Sequence, residues 1–126
     1  MNIKAAFSGY STNNVHACKE FYGQTLGLKV EESMGGINFD VNGQKVFMYP
    51  KEDHQPAIFT VLNFEVDDIN AAVDELVSKN VVFEKYDNLP APQDERSVLR
   101  GKDAGYGPNI AWFKDPSNNI LAVVES

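Results

Sequence analysis

Thr12-Asn13-Asn14-Val15-His16-Ala17-Cys18-Lys19-Glu20-Phe21-Tyr22-Gly23-Gln24-Thr25-Leu26-Gly27 is the stretch on which the reading of this fold turns. Side-chain oxygens at Thr12, Asn13 and Asn14 suit a helix start, where backbone N–H groups lack partners within the helix. Val15, Cys18, Tyr22 and Leu26 then share one stripe, and Gly27 offers a stop. The spacing predicts an amphipathic helix with one buried face. At a constant offset of 54 positions the pattern returns, with Ile69, Ala72 and Leu76 standing for Val15, Cys18 and Tyr22. Asp67-Asp68 precede this second helix and suit its dipole, Val73 and Val77 extend its stripe, and it ends near Asn80.

Working outward, short strand-like segments surround each helix. Lys4–Tyr10 precedes the first, and Leu28–Glu32, Ile37–Val41 and Gln44–Tyr49 follow it, the last two joined by the hairpin signal Asn42-Gly43. Ala57–Val66 precedes the second helix, and Val81–Lys85, Ile110–Lys114 and Ile120–Val124 follow it. The turn Asp115-Pro116-Ser117-Asn118-Asn119 joins the final pair. The order strand–helix–strand–strand–strand therefore occurs twice, as expected of a duplicated module. One domain over residues 1–126 is expected, with module one at about 1–52, a connector from Pro50 to Pro56, and module two at about 56–126. Residues 87–108, rich in Pro, Gly and charge, read as an irregular loop that is either a flexible insertion or a lid.

Composition narrows the function. Eighteen acidic against eleven basic residues give a formal charge of -7, which repels phosphate backbones, so no nucleic-acid partner is expected. The single cysteine, Cys18, excludes an internal disulfide and any cysteine-cluster metal site, and it falls on a buried helix stripe where a thiol is inert. No apolar run has the length of a membrane span, and no signal-peptide pattern opens the chain, so no membrane association and a cytoplasmic location are expected. No glycine-rich phosphate loop and no serine-centred nucleophile motif is present. His16 with Glu20 reads as a solvated helix pair, and His54 as a surface residue of the connector.

Three motifs, Phe21-Tyr22-Gly23-Gln24-Thr25-Leu26-Gly27-Leu28, Phe64-Glu65-Val66-Asp67-Asp68-Ile69 and Trp112-Phe113-Lys114-Asp115-Pro116-Ser117-Asn118-Asn119-Ile120, occur in order over nearly the whole chain. Together they resemble the vicinal-oxygen-chelate superfamily of glyoxalases, bleomycin-resistance proteins and dioxygenases. The resemblance implies an α+β fold, two βαβββ modules whose curled mixed sheets surround a cavity with the helices outside. It also implies a homodimer and, in many members, a metal centre.

The metal positions of that resemblance are occupied by hydrocarbon. The first-strand ligand, counted back from each helix, corresponds to Phe7 and Val61; the glutamate after the Asp-Pro turn corresponds to Ala122; the strand Gln44–Tyr49 offers no carboxylate. Neither phenyl nor alkyl groups carry a lone pair for a divalent cation. No metal and no other cofactor is therefore expected.

Side chains two apart share a strand face, so Phe59 and Asn63 accompany Val61 toward the cavity, and Gly9 accompanies Phe7. Trp112 and Ala122 face the same way, with Ile120 and Val124. From the long loop, Arg100 is the preferred clamp for a ligand anion, anchored by Val98 and Leu99; Asp94, Glu95, Arg96 and Tyr106 are lesser candidates. The sequence thus reads as a metal-free protein that binds a small hydrophobic or aromatic molecule through Phe7, Phe59, Val61, Asn63, Arg100, Trp112 and Ala122. The alternatives are a lyase or dioxygenase of the same superfamily, using displaced metal ligands or none, and a dimeric interaction domain with a filled interior.

Overall fold

Asn14 starts the first helix. In the computed structural model, which describes residues 1–126, its side-chain oxygen accepts from the Ala17 N–H at 3.1 Å. Helix α1, Val15–Glu20, runs on into a wider π-turn, Phe21–Thr25. Gly27, with φ of +72°, ends it, and the Leu28 N–H folds back onto the Tyr22 carbonyl at 3.0 Å. That exit delays the next strand to Val30, two residues later than expected.

The chain divides into two compact units, Met1–Pro56 and Ala57–Ser126. The first carries β1 (Ser8–Thr12), α1, β2 (Val30–Ser33), β3 (Gly36–Val41) and β4 (Gln44–Pro50). Its sheet order is β1-β4-β3-β2, with β1 parallel to β4 and the other pairs antiparallel. Both Asn42 and Gly43 take positive φ, +49° and +98°, as the tight hairpin between β3 and β4 requires. The Asp40 carboxylate accepts the Gly43 N–H at 2.7 Å. Strand β1 begins at Ser8 rather than Lys4, because Ser8 pairs with Val46 and only two residues of β4 precede that point. The segment before it makes no ladder.

One face of this sheet is core. Tyr10, Ile37, Phe39, Val46 and Met48 are buried there with Cys18 and Tyr22. Tyr22 stacks on Phe39 with ring centres 4.8 Å apart, and its hydroxyl lies 2.8 Å from that of Tyr10. Cys18 is fully buried, as its place on the helical stripe predicts, with Sγ 3.3 Å from the Thr12 hydroxyl.

The second unit repeats the plan with β5 (Thr60–Glu65), α2 (Ile69–Ser78), β6 (Leu99–Arg100), α3 (Gly101–Ala104), β7 (Asn109–Lys114) and β8 (Ile120–Glu125). The order β5-β8-β7-β6 matches the first sheet place for place, again with one parallel pair. Asp68 caps α2, its carboxylate accepting the Ala71 N–H at 3.1 Å, and Ile69, Val73 and Leu76 are buried beneath it. Val77, placed on the stripe by spacing, is instead more than half exposed. In the turn between β7 and β8, the buried Asp115 carboxylate accepts the Ser117 and Asn119 N–H groups at 2.8 and 3.0 Å.

Two further expectations fail in this unit. Val81–Lys85 forms no strand; its one backbone bond to β7 runs from the Glu84 N–H to the Trp112 carbonyl at 2.8 Å, while the Val81 N–H turns back to the Leu76 carbonyl of α2 at 3.0 Å. The fourth strand is β6, inside the segment read as an irregular loop. That segment is organised by the Asp94 carboxylate, which accepts the Arg96 and Val98 N–H groups, both at 2.9 Å. Each unit is thus β-α-β-β-β, with the short α3 inserted between the second and third strands of the second unit; the fold is α+β with two four-stranded mixed sheets, and no helix is long and apolar enough to cross a membrane.

Candidate functional site

Alternation along β7 and β8 decides which side chains are free to meet a ligand. Ala111, Phe113, Leu121 and Val123 are buried on the side facing α2. Ile110, Trp112, Ile120, Ala122 and Val124 therefore share the opposite, open face. Trp112 lies opposite Ala122 in the antiparallel ladder, and Ala122 lies opposite Asn63 in the parallel one. Asn63 is exposed, while Ala122 is fully covered.

Beside Trp112 the face dips into a hollow of about 200 Å³, lined by Phe59, Thr60, Tyr86, Leu89, Trp112 and Ile120, with Ile58 at its edge. The Trp112 indole N–H donates to the Thr60 hydroxyl at 3.1 Å, which fixes the ring plane. Tyr86 meets that ring edge-on, centres 5.5 Å apart at 83°. Phe59 is about two-thirds exposed at the rim. The register between β5 and β8 slips at this point, so Val61 has no partner in the ladder and Thr60 stands opposite Ile120. The bulge thus gives the hollow a hydroxyl where the count from the helix put an isopropyl group.

Of the residues named from sequence, Phe59 and Trp112 come together here, and Asn63 and Ala122 lie beside them. Phe7 belongs to the first unit. There it is 68% exposed and lines a separate groove of about 530 Å³ on the open face of that sheet, with Met34 and Phe47 and the charged residues Lys29, Glu31 and Lys45. Arg100 does not reach the open face. It pairs with Asn109, an odd number of positions from Trp112 and so on the opposite face, and its side chain turns to the α2 side. Its guanidinium donates to Asp94 at 2.8 Å and to the Asn70 side chain at 2.7 Å. The anchoring role of Val98 and Leu99 holds, since both are buried, but the clamp binds the protein's own helix. Arg96 is engaged likewise, with the Asp74 carboxylate and the Asn70 carbonyl. Tyr106 is exposed, and His16 pairs with Glu20 at 3.3 Å on the helix surface. His54 is not a free surface group: half-buried, its Nδ1 lies 2.6 Å from the Ser11 hydroxyl.

Thr60, Tyr86 and Leu89 were missed. Alternation supplied a signal for Tyr86: Phe83 packs edge-on against Phe113 in the core, and Glu84 pairs with Lys114 on the open side at 3.4 Å. Continuing that period past Lys85 brings Tyr86 to Trp112.

The sequence profile of the Glyoxalase/Bleomycin resistance protein/Dioxygenase superfamily matches residues 6–123. The chain belongs to this superfamily. No curated protein sequence matches it. Among solved structures, a glyoxalase family protein from Bacillus anthracis superposes with a TM-score of 0.69 at 17% identity, covering 100% of this chain and 98% of the other. Lactoylglutathione lyase from Agrobacterium tumefaciens gives 0.67 at 15% identity, covering 99% and 96%. A fosfomycin resistance protein from Listeria monocytogenes gives 0.70 at 9% identity, covering 100% and 95%. At such identities the likeness shows the fold alone.

Members of the superfamily that use a metal need a convergent set of nitrogen or oxygen donors. In this chain no three His, Cys, Asp or Glu side chains come together in a way that holds an ion. The residues that the count along the sequence puts at the corresponding positions, Phe7, Val61 and Ala122, supply carbon only, and the Thr60 hydroxyl that takes the place of Val61 is a single neutral oxygen, a donor set that does not fit a divalent metal.

Proposed function

We propose that this member of the glyoxalase/bleomycin resistance superfamily works without a metal and binds a small hydrophobic or aromatic molecule on the open face of its second sheet. The observation that carries this reading is the Trp112 hollow, an apolar and aromatic wall with the Thr60 hydroxyl among its lining groups. Pockets of this make-up gain affinity from apolar burial and orientation from a few polar groups. At about 200 Å³ the hollow is smaller than the roughly 300–1,000 Å³ of drug-sized sites, which favours a molecule of one or two rings. Arg100, committed to Asp94 and Asn70, has no part in the proposed site. A cytoplasmic homodimer completes the reading.

Calorimetry and thermal shift against hydrophobic metabolites and aromatic antibiotics test it, with elemental analysis of the same preparation. The expected result is a saturable aromatic ligand, less than 0.1 metal ion per chain on the order of background, and at least about tenfold weaker binding by Trp112→Leu. Stoichiometric zinc, nickel, iron or manganese that withstands dialysis, or no saturable ligand, overturns it.

A further inference from the structure

One buried side-chain polar atom in this chain has no hydrogen-bond partner, and it is the Tyr86 hydroxyl. Buried polar groups are almost always paired, and an unpaired hydroxyl costs stability that a phenylalanine of the same shape avoids. Tyr86 lines the Trp112 hollow, and both its backbone and its ring are held there. Its backbone N–H donates to the Gln93 side-chain oxygen at 2.8 Å. The Gln93 amide nitrogen in turn donates to the Glu84 and Ser97 carbonyls at 2.9 and 2.7 Å. Edge-on contact with Trp112 fixes the ring from the side. The Tyr86 ring is therefore held at the hollow, and the neighbouring indole N–H is already spent on Thr60.

Resting on the reading of the hollow as a binding site, we propose that its ligand is a neutral aromatic carbonyl compound, whose carbonyl oxygen accepts the Tyr86 O–H while its ring packs on Trp112. One feature keeps the hydroxyl a donor, and a second favours a neutral acceptor over an anion. Burial, and after it the Glu84 carboxylate, push the Tyr86 hydroxyl above the ordinary phenol range, so it stays protonated and donates at neutral pH. The same carboxylate, paired with Lys114 at 3.4 Å, still raises the Tyr86 hydroxyl and so disfavours a second negative charge beside it, and the nearby Lys85 ammonium is held by the Asp94 carbonyl at 3.1 Å.

Trp112 is the chain's only tryptophan, so its fluorescence reports this hollow directly. The probes are 2-acetylnaphthalene, its hydrocarbon counterpart 2-ethylnaphthalene, and naphthalene-2-carboxylate, each titrated into the intact protein and into Tyr86→Phe, with calorimetry as the second measurement. Expected for the intact protein is about tenfold tighter binding of the ketone than of either other probe. Tyr86→Phe should bind ketone and hydrocarbon alike while unfolding at the same temperature or higher, because it deletes a hydroxyl without a partner. Equal affinity for ketone and hydrocarbon in the intact protein overturns the inference and leaves the binding site standing, as does an affinity gap that survives in Tyr86→Phe. Tightest binding of the carboxylate also overturns it, and so does a lower unfolding temperature of Tyr86→Phe, which would mean that the hydroxyl is engaged by the fold. No saturable binding of any of the three counts against the inference and the hollow together.

Discussion

Asp94 shows how one carboxylate turns an apparently formless segment into structure. It accepts the Arg96 and Val98 N–H groups through one oxygen and the Arg100 guanidinium through the other. Burial works to raise its pKa, but the donors from Val98, Arg100 and Arg96 outweigh burial, and the carboxyl ends below its ordinary value of 3.8. A carboxyl with a pKa lowered by folding stabilises the fold above its unfolded pKa. It loses that contribution as the pH falls through the folded value. Asp94→Asn should therefore cost about 1–2 kcal/mol in urea unfolding at pH 7, with the difference from wild type shrinking as the pH drops below 3.8. A pH-independent difference would mean that the amide's lost geometry, not the charge, is responsible. Composition marked this stretch as polar and broken, and it showed Asp94, Arg96 and Arg100 as charges. It did not show that they answer one another, because their pairing depends on where the chain turns at Ser97, which takes φ of +66°.

Among the elements, those with a local cause were readable in advance and those with a distant cause were not. Both long helices begin where a side-chain cap stands, at Asn14 and Asp68. The β3–β4 hairpin turns at Asn42-Gly43, where both residues hold positive φ. Gly43→Ala places a Cβ on a backbone with φ of +98°, and should cost about 1–2 kcal/mol with α1 and its packing intact, as read by thermal unfolding and amide exchange. A neutral result would show that the hairpin can adopt another turn. The edge strand of the second sheet went the other way. Val81–Lys85 has the composition of a strand, yet β7 is paired at that edge by the two residues of β6. The choice between two candidate edges is made by partners far along the chain, chiefly the Asp94 turn and the buried Val98 and Leu99.

For the whole molecule, the duplication visible as an offset between helices is realised as two sheets with identical strand order. Large apolar side chains stand exposed on both units, Phe7 and Met34 on the first, Ile58 and Phe59 on the second. Our reading has a second copy of the chain cover part of this surface, in keeping with the general tendency of large apolar patches to be contact surfaces. Sedimentation equilibrium at micromolar concentration should then give twice the 14.0 kDa of one chain, and Phe59→Asp should shift it toward the monomer. A monomer of the unaltered protein at all concentrations up to about 100 μM would remove the dimer from the proposal.

Residues close in sequence settled a good part of this protein: the caps, most of each helical stripe, the hairpin and the Asp-Pro turn. Each of these depends on local geometry or on the chemistry of single side chains, which needs no knowledge of the rest of the fold. The tertiary structure alone decided that Arg100 turns to α2, that a bulge hands Thr60 the place expected of Val61, and that Tyr86 meets Trp112 with its hydroxyl unpaired. Those outcomes depend on strand register, and a slip of one residue exchanges the two faces of a sheet.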